Sequence, residues 1–315
     1  MNKTLRNLAL IGAGTLGAMA CANKLVSVLA EQNDHLPEGR EHYYKWKLGN
    51  IYYTKTGQGA PLLLIHDLDA CSSSYEWSKV ISGLSRTYTV YALDLLGCGR
   101  SDKPNLTYTN YMYVQLILDF IKNVIKARTS VAATGDSFSF LIMACQMEPA
   151  NFDKLVGVSP CDLVEMTRTP GRRKNALKYV IDSPIIGTFL YNMDTSRARI
   201  AGAARHRYFY KNYMVPDSVV DAYYKAAKKE DGRGKYLMAS IRSSYTNINI
   251  IPAIQKINNS ICLIGGRMHP LIMDIIDEYQ AYNPSIEAAY IAGTNYLPQL
   301  EAPEKFTELL GIVLD

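Results

Sequence analysis

The chain has 315 residues, 48% of them hydrophobic and 20% charged, with a net charge of +5. That composition supplies one large core with an insertion, or two smaller domains, and argues against disorder as the default state of the chain. Sixteen Lys/Arg against eight Asp/Glu lie between Cys161 and Ile250 without any nucleic-acid-binding motif; the surplus reads as a solvated helical surface, or a face for anionic lipid or an acidic substrate, and no nucleic-acid partner is expected.

The first element is an apolar run from Leu8 to Ala30, preceded by Lys3 and Arg6 and interrupted by Asn23 and Lys24. At ~1.5 Å per residue it is about long enough to cross a bilayer. It predicts an N-terminal hydrophobic helix over residues 1–30, acting as membrane anchor or signal, with a packed soluble helix as the alternative. For a membrane-associated protein, the positive charge ahead of the run favours an N-inside orientation with the domain outside; a cytoplasmic soluble protein is the other reading. The same run contains Gly12-Ala13-Gly14-Thr15-Leu16-Gly17, a formal match to the dinucleotide fingerprint. No second strand ending in an acidic residue follows, so no nucleotide cofactor is expected. Residues 31–42 are polar and read as a linker.

From Tyr43 the pattern becomes β-like. Tyr44, Trp46 and Leu48 alternate, Gly49-Asn50 reads as a turn, and Ile51-Tyr52-Tyr53 opens a second strand. Pro61–Ile65 is a continuous apolar run of the kind buried on both faces, and comparable runs follow at 87–93, 130–134, 155–158, 261–264 and 288–291. Helical patterns separate them, as at 111–126 and 140–147. Strands alternating with helices predict an α/β fold with a mostly parallel sheet covered on both faces. The alternation breaks between 161 and 250, which predicts a helical cap of residues 161–250 inserted into a core made of 43–160 and 251–315. The six cysteines form no C-x-x-C pair. They read as free thiols, with neither a disulfide framework nor a zinc site.

Residues 135–139, Gly-Asp-Ser-Phe-Ser, are a close variant of the Gly-x-Ser-x-Gly turn that presents a nucleophilic serine. Upstream lie Leu64-Ile65-His66-Asp67-Leu68 and Asp94-Leu95-Leu96-Gly97-Cys98-Gly99-Arg100-Ser101-Asp102; downstream lies Leu297-Pro298-Gln299-Leu300-Glu301. Together, in this order and spacing, these motifs resemble the α/β-hydrolase superfamily over residues 43–313, in its capped, haloalkane-dehalogenase-like and esterase-like branch. The resemblance implies an α/β-hydrolase fold with a helical cap. It implies Ser137 as nucleophile, backbone N–H groups of Leu68 and Phe138 as oxyanion hole, and His66 as a structural histidine of the loop.

Three positions depart from that pattern. Asp67 stands where the family has glycine, and adds negative charge beside a site meant to hold an anion. The family's acid falls on His269 and its histidine on Tyr296. A neutral tyrosine with an ordinary pKa near ~10 is a poor base at pH 7. Three readings stay open: a serine hydrolase acting on a small ester-like substrate, with His269 reaching Ser137 directly or through Tyr296; one that recruits His206 or Asp162; and a catalytically inactive protein that binds a ligand or partner at the membrane. His206 and Asp162 read more simply as cap surface and as a turn or helix-cap residue. The cap motif Ser183–Tyr191 implies a roof over a pocket for a small, largely apolar ligand.

Overall fold

The structure, a computed structural model, describes residues 3–31 and 41–315; most of the linker expected at 31–42 lies outside the described residues. The strands are β1 (His42–Trp46), β2 (Gly49–Thr56), β3 (Ala60–Ile65), β4 (Tyr88–Leu93), β5 (Thr129–Thr134), β6 (Phe152–Val158), β7 (Ser260–Gly266) and β8 (Glu287–Ile291). They form one sheet in the order β1-β2-β4-β3-β5-β6-β7-β8. The first two pairings are antiparallel and all others parallel. Trp46 pairs with Gly49, so the hairpin turns at Lys47-Leu48, not at Gly49-Asn50 as the alternation suggested.

The longer helices are α1 (Lys3–Glu31), α2 (Asn110–Phe120), α3 (Ser137–Met147), the cap helices α4 (Arg172–Asp182), α5 (Ile186–Asp194), α6 (Arg197–Ala203), α7 (Asp217–Lys228) and α8 (Lys235–Arg242), then α9 (Ile272–Tyr282) and α10 (Pro303–Leu314). β3 shows why the sheet is central. Leu63 and Ile65 point to a core shared with Phe120 and Phe140, while Leu62 and Leu64 point to a second core around Trp77 and Phe306. Each fully buried leucine is worth about 1.5–3 kcal/mol. α3 is apolar nearly all round, with Phe138, Phe140, Leu141 and Ile142 all buried, as a helix packed between the sheet and α2 must be.

The segment Gly12–Gly17 lies inside α1, so the dinucleotide fingerprint has no strand before it. Among the described residues, no helix is long and apolar enough to cross a membrane. α1 instead rests on the cap: the Asn23 side chain donates to the Ile185 carbonyl at 3.1 Å, and Asn192 donates back to Asn23 Oδ1 at 3.1 Å.

Parallel pairing sets the site. β3 and β5 are adjacent, with Ile65 opposite Ala133, and β5 pairs with β6 as far as Thr134 opposite Val158. The loops after β3, β5, β7 and β8 therefore open at one edge of the sheet beneath the cap.

Candidate functional site

The turn after β5 differs from the one the motif suggests. Pairing continues past Thr134, because the Gly135 N–H donates to the Val158 carbonyl at 3.0 Å. The chain then reverses at Gly135 itself, which has φ +54°, a left-handed conformation that costs glycine little. α3 starts at Ser137. The tip of the strand-to-helix turn is thus Gly135, two positions before Ser137.

Ser137 sits in the first turn of α3, fully buried, and its hydroxyl donates to the His66 carbonyl at 2.6 Å. Among the described residues no imidazole accepts from it. The Phe138 N–H donates to the Gly135 carbonyl at 3.2 Å, closing the turn, and does not serve an anion. The structure therefore corrects both placements. The small-x-turn-x-small pattern is equally present as Ala133-Thr134-Gly135-Asp136-Ser137, and the serine at 137 draws attention to the wrong register.

Two backbone N–H groups do converge. Leu68 N–H and Asp136 N–H both donate to one oxygen of Asp67, at 2.8 and 2.9 Å. These belong to the residue after the turn tip and to the loop after β3, the two sources from which an oxyanion hole of this geometry is built. Asp67 fills that hole with its own side chain. Its other oxygen accepts the Tyr296 hydroxyl at 2.7 Å. Its two oxygens thus accept from three donors. Burial, then the charge of Asp67, pushes the Tyr296 phenol well above its ordinary value, so it stays a neutral donor. A Cβ on Gly135 would overlap both Asp67 Oδ1 and the Tyr296 hydroxyl.

His269 stands beside this constellation, its ring centre 5.9 Å from that of Tyr296. Its Nδ1 is buried and has no hydrogen-bond partner among the described residues. Burial, helped by the Arg207 charge, lowers its pKa and holds the ring neutral. His66 braces the loop: its ring meets the Asp67 carbonyl at 2.6 Å through Nδ1, and the Leu95 N–H donates to its Nε2 at 3.0 Å. That fixes the neutral tautomer with the proton on Nδ1. Asp162 caps a short helix by accepting the Glu165 N–H at 2.9 Å, and His206 is exposed on the cap.

Three residues that sequence reasoning left without a role complete the site. Glu76, buried under the cap, accepts the Asp67 N–H at 3.0 Å and the Tyr223 hydroxyl at 3.1 Å, tying loop to cap. Burial and the neighbouring Asp67 charge raise its pKa from 4.5 to about 8. Asp136, beside the turn tip, is raised from 3.8 to about 8 by the same two causes. Arg207 lies over the rings of Tyr208 and Tyr296 at 5.9 and 5.8 Å. Its position in a run of basic residues gave no sign of this. A cavity of about 510 Å³ joins Asp136, Cys161, Met166, Lys174, Arg207, His269, Ile275 and Tyr296. Among the described residues no cluster of His, Cys, Asp and Glu could hold a metal ion.

Residues 62–308 match the family described as the alpha/beta hydrolase family. The chain belongs to that family. Curated relatives are similar over short segments. A 2-hydroxy-6-oxo-6-(2'-aminophenyl)hexa-2,4-dienoic acid hydrolase of Metapseudomonas resinovorans is 41% identical over 22% of this chain and 24% of its own length. A soluble epoxide hydrolase of Corynebacterium sp. (strain C12) is 44% identical over 17% of this chain and 18% of its own. The chain thus spans under a quarter of the length of these curated relatives. Solved α/β-hydrolase structures match much more of it. A serine hydrolase involved in carbazole degradation superposes with a TM-score of 0.70 at 19% identity, over 87% of this chain and 98% of that one. Carboxylesterase CesB from Bacillus subtilis gives 0.63 at 14% identity, over 94% and 98%. At those identities the likeness is one of fold.

Proposed function

We propose that this α/β-hydrolase family member is a ligand-binding protein without serine-type acyl transfer. The observation that carries the reading is Gly135 at the tip of the nucleophile turn, where a side chain would have to present the attacking atom. Three further features support it. Tyr296 replaces the base, His269 replaces the acid, and Asp67 occupies the pair of N–H groups that an oxyanion needs. Ester hydrolysis through a tetrahedral intermediate requires those N–H groups to be free.

The cavity beneath the cap remains, and its lining indicates the ligand. Lys174 and Arg207 bring positive charge, the carboxyl of Asp136 is largely protonated at neutral pH, and Met166 and Ile275 bring apolar surface. A small acid with an apolar body fits these groups, its carboxylate toward Arg207 and Lys174 and accepting from Asp136. Titration of the chain with benzoate and benzamide, read by calorimetry, tests this. Benzoate is expected to bind and benzamide to bind at least about tenfold more weakly. Arg207→Ala is expected to remove the difference. Equal binding of acid and amide, or benzoate binding untouched by Arg207→Ala, would overturn the ligand class.

A further inference from the structure

We infer that the groove between α1 and the cap is a binding site for a single acyl chain with an anionic head group. This site lies beside the cavity lined by Asp136 and Tyr296, shares Arg242 with it, and does not rest on the reading given to it. α1 meets the cap along Met19, Ala22, Asn23 and Val26, one helical stripe, while Leu16, Leu25 and Val28 stay exposed. Beside that stripe runs a groove of about 650 Å³, walled by Ala22, Val26, Leu177, Phe189, Leu190 and Met193. Its size lies within the ~300–1,000 Å³ that small-molecule sites occupy.

The charge at its end selects the head group. Asp194 accepts from Arg199 at 3.3 Å on one oxygen and from Arg242 at 2.6 Å on the other. Two guanidinium groups share one carboxylate, which leaves a surplus positive charge where the apolar wall stops. A neutral chain would gain nothing from that surplus, whose guanidinium groups are otherwise left to solvent. A carboxylate or phosphate head satisfies it while the chain covers Leu190 and Met193, which are 39% and 56% exposed. Arg242 also borders the inner cavity, so the head group would lie where the two spaces meet.

The test is calorimetric titration of the full chain with oleate, and sedimentation with vesicles of phosphatidylcholine and phosphatidylglycerol. Oleate is expected to bind once per chain, and oleyl alcohol at least about tenfold more weakly. Leu190→Asp and Arg199→Glu should each weaken oleate by about tenfold or more, while Arg207→Ala changes it by less than about twofold. Both substituted side chains reach the surface, and circular dichroism checks that the fold is retained. Binding of oleate without vesicle capture identifies a free amphiphile. Vesicle capture released by the same two substitutions would overturn the free amphiphile in favour of docking on a bilayer. No binding of either, or binding indifferent to both substitutions, overturns the proposal, as does a dimer in sedimentation that Leu190→Asp abolishes, since a second copy would then fill the groove.

Discussion

The Tyr296 hydroxyl donates to Asp67 Oδ2 at 2.7 Å, while Asp67 Oδ1 accepts two backbone N–H groups. One side chain thereby satisfies the donors of a would-be oxyanion hole and orients the residue standing in the base position. Removing it strands three partly buried donors. Asp67→Ala is expected to destabilise the fold by about 1.5–3 kcal/mol, the range for hydrogen bonds to a charged group. Asp67→Asn keeps one carbonyl acceptor and should lose less. Urea unfolding of the two variants measures the difference; equal, negligible losses would show that water replaces the carboxylate at no cost.

Gly135 and Asp67 are coupled by space. Any Cβ at 135 overlaps the Asp67 carboxylate and the Tyr296 hydroxyl, and φ +54° strains an L-residue besides. Gly135→Ser alone should cost about 2–4 kcal/mol, from overpacking plus backbone strain. In the Asp67→Gly background the part due to the carboxylate should vanish, while the Tyr296 hydroxyl still crowds the new Cβ. A double-mutant cycle by denaturant unfolding reads that coupling, and strict additivity would contradict the geometry.

Glu76 and Asp136 give the stability a pH dependence of definite sign. Both carboxyls have folded pKa values raised to about 8, far above the unfolded range. Between about pH 4 and pH 8 the folded chain therefore holds more protons than the unfolded chain, and stability falls as pH rises through that window. The contribution is fully present below the unfolded pKa and lost above the folded one. Glu76→Gln, which carries no such proton, should flatten the slope of melting temperature against pH. An unchanged slope would show that Glu76 is ionised throughout.

His269 should titrate below the ordinary imidazole value, because burial and the Arg207 charge both oppose its protonation. Arg207→Ala removes the smaller of the two causes and should move the midpoint part of the way back. Proton NMR of the imidazole through a pH titration detects both shifts. A midpoint at or above the ordinary value would mean that the Nδ1 atom has an anionic partner.

Most of the fold is legible because it rests on continuous patterns. Runs such as Pro61–Ile65 declare strands buried on both faces, and the long break from 161 to 250 declares the inserted helices. The replaced positions Asp67, His269 and Tyr296 are legible too, since each is anchored by neighbouring motif residues. The turn is not. Gly-Asp-Ser-Phe-Ser carries a serine at the expected offset, and only the continuation of the β5–β6 ladder to Gly135 moves the tip by two positions. Register of that kind depends on hydrogen bonds between distant segments, which a local pattern does not encode. Glu76 and Arg207 were invisible for a similar reason: a buried acid and a cap arginine gain their roles from partners far along the chain.

The most direct test of the central claim is reaction of the chain with a fluorophosphonate probe, beside Ser137→Ala and the quadruple variant Asp67→Gly, Gly135→Ser, His269→Asp, Tyr296→His. With Gly135 at the nucleophile position, the natural chain should not label and should not hydrolyse p-nitrophenyl acetate. The quadruple variant restores a serine, a base, an acid and an open pair of N–H groups, and should gain labelling at residue 135. Labelling of the natural chain that disappears in Ser137→Ala would contradict the assignment and return Ser137 to the role of nucleophile.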